Sequence, residues 1–536
     1  MWHRSDMLAV GVLLLVALCY APSLSGDWVW DDVSQIAHSG ALERPIEWLA
    51  HDVWWLAEGE PPSSLYRPLA VITHVPGQAL VGGPAIERII NLLLHGIAVV
   101  LVALIAIGAG ADRRAAWLGA ALLGVHPGAS EAVAWISARH DLLGSVLCLA
   151  GWLALVRRND WLAGVFLGLA PFCKESFLLA PLAGVFWMLA TRRFAPRTLA
   201  ISLAGGVSYL GIRMLIDLPL PVGAGAIEAP VAALGGVTLR GLELLTLPGA
   251  ADAMPLLESS LPAGIAVLVA AVAALALVRG RPALGAVLVP LPMLLPAVAA
   301  SAEASIVGDR FFYLAFAGLA VAIGLWSSAM LARRPRAVAL ASLLIPVLAV
   351  GTWMRASEWT SNRSLFTASL ERNPQNPYAA FRLGRDLHVR DGDCVSAIPF
   401  YEMSQSVEPR AGNNLQACLL TLGRVEAAVA MGPALVERDK VRATPATNTA
   451  RGLLALNRPQ QAEVWARRAL SRNGNRRGAL KLLGTSLGRQ GRHAEALEAF
   501  RSALELDPDD SSARAGMEVA STRLRETELK GFEGLP

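Results

Sequence analysis

Charge is what this chain has least of. Only 17% of its 536 residues are charged, against about 25% in a soluble globular protein, and its mean hydropathy is +0.46. A chain so short of charge cannot solvate all of its surface, so its bulk must face lipid. The net charge of +4 is small for this length, and no basic stripe runs along the chain, which excludes nucleic acid as the partner. Cysteines are few as well. The five, Cys19, Cys148, Cys173, Cys394 and Cys418, lack the close pairing a zinc site requires, so no metal is assigned to them. Cys394 and Cys418 are read first as two small residues buried in a helical stack; a disulfide between them requires that their domain lie outside the cytoplasm. A convincing cleavage site is also missing after the apolar run 7–24, which follows a short head containing Arg4. With many apolar runs behind it, that segment reads as a retained first helix and not as a removed signal peptide.

What the chain does have is long apolar runs. A spanning helix needs about 20 apolar residues to cross roughly 30 Å of hydrocarbon. The candidates are 7–24, 86–109, 115–135, 141–156, 161–173, 176–190, 198–216, 262–278, 283–300, 311–331 and 337–354, about 11 spans. Basic clusters at Arg113 and Arg114, Arg157 and Arg158, Arg192 to Arg197, Arg279 and Arg281, and Arg333 to Arg336 fall in alternate loops. The positive-inside rule makes those loops and the N-terminus cytoplasmic. The stretch 161–190 lies between two such clusters, so it crosses twice as a short hairpin with Lys174 and Glu175 at its outer tip. The apolar stretch 231–247 holds Arg240 and Glu243, and counting it as a span would put Arg279 and Arg281 outside; it reads as an interfacial or buried segment.

The outer face then receives 25–85, 136–140, 217–261, 301–310 and everything after 355. Within the first loop Trp48, Trp54 and Trp55 stand among acidic residues, as in a helix lying at headgroup level.

Beyond 355 the chain repeats itself every 34 residues, at Gly423 to Ala428, Asn457 to Ala462 and Gly491 to Ala496. In the last unit Leu483, Gly484, Leu487, Ala496, Phe500 and Pro508 hold the small, large and helix-stopping positions of a tetratricopeptide repeat. An earlier unit on Leu383, Gly384, Ala397 and Phe400 is offset by three residues. The expected division is a membrane domain over 1–355, a linker over 356–373, four repeats over 374–510 and a C-terminal helix and tail over 511–536. The fold class is all-α throughout, a polytopic helix bundle followed by an α-solenoid whose concave surface suits peptide or protein.

Ionisable groups in or beside spans are costly, so chemistry is sought there first. Most fall on the outer side. In order they are Trp30-Asp31-Asp32, Tyr66-Arg67-Pro68-Leu69, Asn91 with His95, His126-Pro127 with Glu131, Arg139-His140-Asp141, Lys174-Glu175, and Asp309-Arg310 with Tyr313. Each motif alone is weak. Their order, followed by tetratricopeptide repeats, resembles the transmembrane O-mannosyltransferases that carry such repeats, and the resemblance runs over nearly the whole chain. It implies a membrane glycosyltransferase of the C-type fold, with a polyprenyl-phosphate sugar as donor and a site on the outer or lumenal face. The departure is 217–261, whose Leu-rich stretch ending in Pro248 matches the family only loosely. An Ala- and Arg-rich composition of bacterial cast leaves sugars other than mannose open, and it points to a bacterial inner membrane with the repeats on the periplasmic side.

Transfer from a lipid phosphate needs a base for the acceptor hydroxyl, cations for the departing phosphate and a greasy groove for the isoprenoid tail. The resemblance makes Asp31 the candidate base. Asp32 orients it, binds a divalent metal, or caps the following helix. Arg67, Arg139, Lys174 and Arg310 are candidate phosphate ligands, since such groups form charge-assisted hydrogen bonds to phosphate; ion pairs of Arg139 with Asp141 and of Arg310 with Asp309 are the structural alternative. Glu131 either holds Arg139 or Lys174 or contacts the sugar. Asn91 and His95 read as inter-helix hydrogen-bonders, and Lys174 and Glu175 as a self-neutralising pair if they are not ligands. The expected function is sugar transfer to a hydroxyl acceptor, a polypeptide gripped by the repeats. The competing reading is a non-enzymatic membrane scaffold for envelope assembly whose aspartates are structural.

Overall fold

The computed structural model describes residues 4–37, 47–53, 65–80, 83–216, 218, 228–295, 298, 307–472 and 476–533. Among these it is helical, with no strand element, and it divides into two units, Met1–Ala368 and Ser369–Pro536.

In the first unit, six helices among the described residues are long and apolar enough to cross a membrane: Met7–Ser25, Pro84–Gly108, Ile136–Val156, Pro196–Leu215, Asp309–Arg333 and Pro335–Glu358. Asp160–Phe172, Glu175–Thr191, Leu261–Leu277 and Pro282–Leu294 are apolar but shorter, and a helix of 12 residues covers only about 18 Å. These four, together with the run 115–135, are the segments in which the expected count of about eleven exceeds the six that meet the length of a span. Prolines open several of the helices, where the missing N–H costs nothing, and Asp112 and Asn159 cap others through their side chains.

The run 115–135 is not one helix. The segment Arg113–Gly124 stops before His126-Pro127, because proline disfavours the helical conformation of the residue ahead of it. Short turns over Pro127–Ala129, Ser130–Ala134 and Ile136–Ala138 then lead to the next helix at Arg139. The stretch around 231–247 is a helix, Glu228–Thr246, packed against Leu261–Leu277. Residues expected as a linker are also helical over Asn362–Arg372, with Leu365 and Phe366 buried.

Close helix crossings rest on small residues, as they do where lipid removes the hydrophobic drive to associate. A methyl group on Gly205 would come within 2.5 Å of Gly168 Cα, so Asp160–Leu169 and Pro196–Leu215 pack backbone to backbone. Elsewhere on the second of these helices Leu203, Val207, Met214 and Leu215 are exposed, as a lipid-facing surface requires.

The basic loops share one end of this unit. Arg193 bonds Asp160 and the Leu155 carbonyl, Arg192 lies against Gly280, and Asp112 N–H donates to Ser328 Oγ close to the Arg333 cluster. At the other end the first connection meets the last helix of the unit, where Asp27 N–H donates to the Thr360 carbonyl at 2.8 Å.

The second unit is built of helix pairs, Pro377–Arg385 with Cys394–Ser404, Pro409–Thr421 with Val425–Arg438, Thr444–Ala455 with Pro459–Leu470, and Arg476–Arg489 with His493–Leu506, followed by Ser511–Glu533. The turn within a pair needs a left-handed residue. Gly423 and Gly491 supply it at φ 73° and 81°, and Asn457, at φ 55°, does so in the repeat between them; asparagine tolerates this region better than most residues. Ala397, Ala428, Ala462 and Ala496 are fully buried at the pair contacts.

Candidate functional site

The site end of the first unit is organised around a buried arginine and three tryptophans. Arg88 donates to the carbonyls of Gly26, Asp27, Ala134 and Trp359 at 2.5 to 3.2 Å. A guanidinium whose five N–H groups are fixed in a plane can hold several chain segments at once. The segments it joins are the first connection, the turn before Arg139 and the end of Leu344–Glu358. Trp135 then stacks between Trp30, at 4.7 Å and 13°, and Trp359, at 6.0 Å and 21°.

Trp30 adopts φ 60°, a conformation costly for a bulky residue and sustained only by its surroundings, of order 1–3 kcal/mol. The Trp135 stack, the edge of Phe366 and the Asn362 Oδ1 that accepts its N–H at 2.7 Å impose it. This strained residue immediately precedes Asp31, the candidate base, which is partly exposed. Asp32 is wholly buried. Its carboxylate accepts from Val29 N–H, Ser137 N–H and Ser137 Oγ, so its oxygens are committed to joining the first connection to the turn Ile136–Ala138. Burial pushes the Asp32 carboxyl up to about 6, against the pull of those hydrogen bonds.

Three of the four candidate cations converge. Lys174 Nζ lies 2.6 Å from Asp141 Oδ1 and 3.9 Å from the Phe311 ring centroid. Arg310 is gripped by the Glu131 carboxylate, reaches Asp141 at 3.5 Å, and lies over the Trp135 ring at 4.8 Å. Arg67 forms a two-pronged pair with Glu175 at 2.6 and 3.1 Å. Lys174 and Glu175 therefore turn to different partners and do not neutralise each other. Burial lowers the Lys174 ammonium to about 8, while Asp141 opposes the shift.

Arg139 lies elsewhere. It is fully buried, bonded to the Glu87 carboxylate at 2.6 Å, to Asn91 Oδ1 at 2.7 Å and to the carbonyls of Thr73 and Glu87. The pairings expected from proximity in sequence give way to others. Arg139 takes Glu87 in place of Asp141, Glu131 takes Arg310 in place of Arg139 or Lys174, and Asp309 takes Arg240 at 2.8 to 3.1 Å. Asn91 also donates to the carbonyls of Val133 and Trp135, and His95 bridges Tyr313 and the Gly124 carbonyl; both are inter-helix hydrogen-bonders. His126 is buried, with its Nδ1 accepting Gly128 N–H at the start of the turn Pro127–Ala129.

Four residues that sequence reasoning did not place in the site shape it: Trp135, Glu87, Arg88 and Arg240. Arg240 stands out in the sequence as a charge in an apolar stretch, the signal that ties it to something buried, but its partner lies 69 residues on. Trp54 and Trp55 lie outside the described residues. In the second unit Cys394 and Cys418 are joined as a disulfide, which corrects the expectation of two unpaired small residues. His388 stands beside them as a third metal-type ligand, but the disulfide uses both sulfurs.

A tetratricopeptide repeat model matches residues 479–510. The human protein O-mannosyl-transferase TMTC4 is 30% identical over 230 residues, 39% of this chain and 29% of that protein. The mouse protein of the same name is 24% identical over 486 residues, 74% of this chain and 65% of that one. The human protein O-mannosyl-transferase TMTC1 is 34% identical over 150 residues, 27% and 17% of the two chains. This chain spans less than two thirds of the length of these curated relatives. Among solved structures, the crystal structure of YrrB, a tetratricopeptide-repeat protein, aligns at 20% identity over 30% of this chain and 84% of that chain, with a TM-score of 0.27.

Proposed function

We propose that this multi-pass membrane chain, which resembles the repeat-carrying O-mannosyltransferases, moves a sugar from a polyprenyl-phosphate donor to a hydroxyl of an acceptor polypeptide. Mannose is the sugar the resemblance favours. One observation carries the reading: residues from five distant stretches, around Asp31, Arg67, Glu131 to Asp141, Lys174 and Arg310, meet at the end of the bundle opposite the basic loops.

In the reaction the acceptor oxygen bonds to the sugar's anomeric carbon, the bond from that carbon to phosphate oxygen breaks, and the electron pair leaves with the polyprenyl phosphate. Asp31 accepts the hydroxyl proton, a step general-base catalysis makes worth about 10²–10⁴ in rate. Arg310, Lys174 and Arg67 face the charge that develops on the phosphate, where preorganised donors stabilise it most. Glu131, Asp141 and Glu175 keep those cations in place before donor arrives and make their burial tolerable. For the isoprenoid tail, an apolar groove of about 450 Å³ between Arg4–Tyr20 and Pro84–Gly108, lined by Leu13, Val16, Leu92 and Ile97, is available.

The basic loops belong on the cytoplasmic side of a bacterial inner membrane, which puts the site and the repeats on the periplasmic side. The Cys394–Cys418 disulfide supports this, since such bonds persist in oxidising compartments. Mass spectrometry of envelope proteins from cells with wild-type protein, with Asp31→Asn and without the protein tests the proposal. Hexose-modified peptides should be present in the first and lost from the other two. Identical spectra from all three would remove the enzymatic reading.

A further inference from the structure

The two helix layers of the repeat unit differ in charge. The second helices carry acids, among them Glu402, Glu437, Glu463 and Glu498. The first helices, Pro377–Arg385, Pro409–Thr421, Thr444–Ala455 and Arg476–Arg489, contain no Asp or Glu, and the helical acids nearest to them are Asp386, which is buried, and Asp391, where the first helix runs on beyond Arg385. From Pro409 onward, successive first helices pack against one another more closely than successive second helices do, so this part of the array curves with the first helices inside.

On the first helices many of the residues left open lie along one stripe. In Pro409–Thr421 it begins at Arg410 and continues at i+4, i+7 and i+11, the spacing of one helix face; the equivalent stripes begin 34 residues later at Thr444 and again at Gly478. The stripes of the four helices contain Arg382, Arg385, Arg410, Arg451 and Arg489 and no acid, with Arg385, Arg451 and Arg489 exposed. Asn414 and Asn448 occupy the same helix position in neighbouring repeats, but Asn448 is buried and both amides donate within the array, Asn448 to the Asn413 carbonyl and Asn414 to the Tyr401 hydroxyl, so the arginines are what this face offers a partner. Acids of the surrounding turns neutralise part of this face. Glu408 holds Arg410, and Asp507 and Asp510 hold Arg477 and Lys481. Among the described residues Arg385 and Arg451 are held by no acid, so their charge is open to a partner.

We infer that the inner face of the repeats binds an acidic polypeptide segment, lying extended across successive first helices. The inference deepens the reading that the repeats hold the acceptor, and it specifies the composition of what they hold: Asp- or Glu-rich sequence near the hydroxyl to be modified. A cationic face selects anionic chain by charge, and its affinity falls as salt screens exposed pairs.

The test uses full-length protein in neutral detergent and fluorescence anisotropy of two labelled peptides of equal length. One has alternating Asp, Glu and Ser; the other has every acid replaced by its amide. The acidic peptide should bind at least about tenfold tighter, with the difference shrinking as salt rises. Arg385→Glu with Arg451→Glu should remove that tenfold, the milder pair Arg385→Gln with Arg451→Gln most of it, and Arg501→Glu on a second helix none. Thermal unfolding of each variant separates lost binding from lost fold. Equal affinity for the two peptides, or an unchanged affinity in the folded Gln pair, overturns the inference. So does capture of phosphatidylglycerol vesicles, in an Arg385- and Arg451-dependent way, by protein that ignores the acidic peptide. No sugar donor is present in the titration, so failure of the transfer reading leaves its outcome unaffected.

Discussion

Lys174 Nζ lies 2.6 Å from Asp141 Oδ1, with the Phe311 ring beneath it at 3.9 Å. Burial holds its ammonium at about 8. Below that pH it is a cation; as pH rises through about 8 the charge is lost, and with it a charge-assisted hydrogen bond to donor phosphate worth about 1.5–3 kcal/mol. The donor KM should therefore climb above pH 8. In Lys174→Arg, whose guanidinium stays protonated, the climb should vanish. Lys174→Met should raise the KM by about 10- to 100-fold at neutral pH. A donor KM indifferent to Lys174→Met would exclude this residue as a phosphate ligand.

Asp31 and Asp32 are neighbours with opposite surroundings, and the corresponding amides should behave oppositely. Asp31→Asn should lower kcat by about a hundred- to ten-thousandfold with little change in thermal unfolding. Asp32→Asn sets an NH₂ group against Val29 N–H or the Ser137 donors and should cost about 1–3 kcal/mol, with near-normal turnover in the molecules that remain folded. The pH signature differs too. In the folded protein the Asp32 carboxyl titrates at about 6, above its ordinary 3.8, so the fold retains a proton that the unfolded chain releases. Its contribution to stability is complete below pH 3.8 and is lost as pH rises to 6. Unfolding measured across that window should slope in wild type and lose this component in Asp32→Asn.

How far the sequence reached is set by how far apart partners lie. Helices and the repeat period come from local pattern, because hydropathy and a 34-residue period are properties of neighbouring residues. The ion-pair map does not. Proximity in sequence offers Arg139 the carboxylate of Asp141, two residues on, yet a helix projects those two to different sides, and the fold hands Arg139 to Glu87, one helix away. Asp309 likewise leaves its neighbour Arg310 for Arg240. The disulfide was legible as a possibility and no further, since two cysteines separated by 24 residues meet only once helix pairs stack. Trp135 gave no signal, because one tryptophan in an apolar run resembles any other.

The buried Glu87–Arg139 pair separates structure from catalysis. Removing one partner strands the other charge in the bundle, a loss of about 3–5 kcal/mol, so Arg139→Ala and Glu87→Ala should each lower the amount of folded protein in membranes. The double change Glu87→Gln with Arg139→Gln leaves two neutral, hydrogen-bonding groups in their place and should recover a large part of it. Quantitative blotting of membrane fractions reads this directly. A variant Arg139→Ala present at normal level but with a raised donor KM would return Arg139 to the phosphate site.

Cys394 and Cys418 join the second helix of one pair to the first helix of the next, with Cα atoms 5.1 Å apart. A cross-link closing a loop of that size removes conformational freedom from the unfolded chain and contributes about 3 kcal/mol in the chain-entropy account. It forms only where oxidant reaches it, which ties a property of the repeats to the side of the membrane they occupy. Cys19, Cys148 and Cys173 are free and buried in the first unit, so they serve as internal standards. Membranes collected into acid, denatured and treated with a maleimide polymer should show three adducts per chain before reduction and five after. Five adducts without reductant would mean that the repeats face a reducing compartment, and the periplasmic site would fall with them. If the count is three, Cys418→Ser should give four adducts, the newly freed Cys394 supplying the fourth, and should unfold its repeats at lower denaturant than wild type.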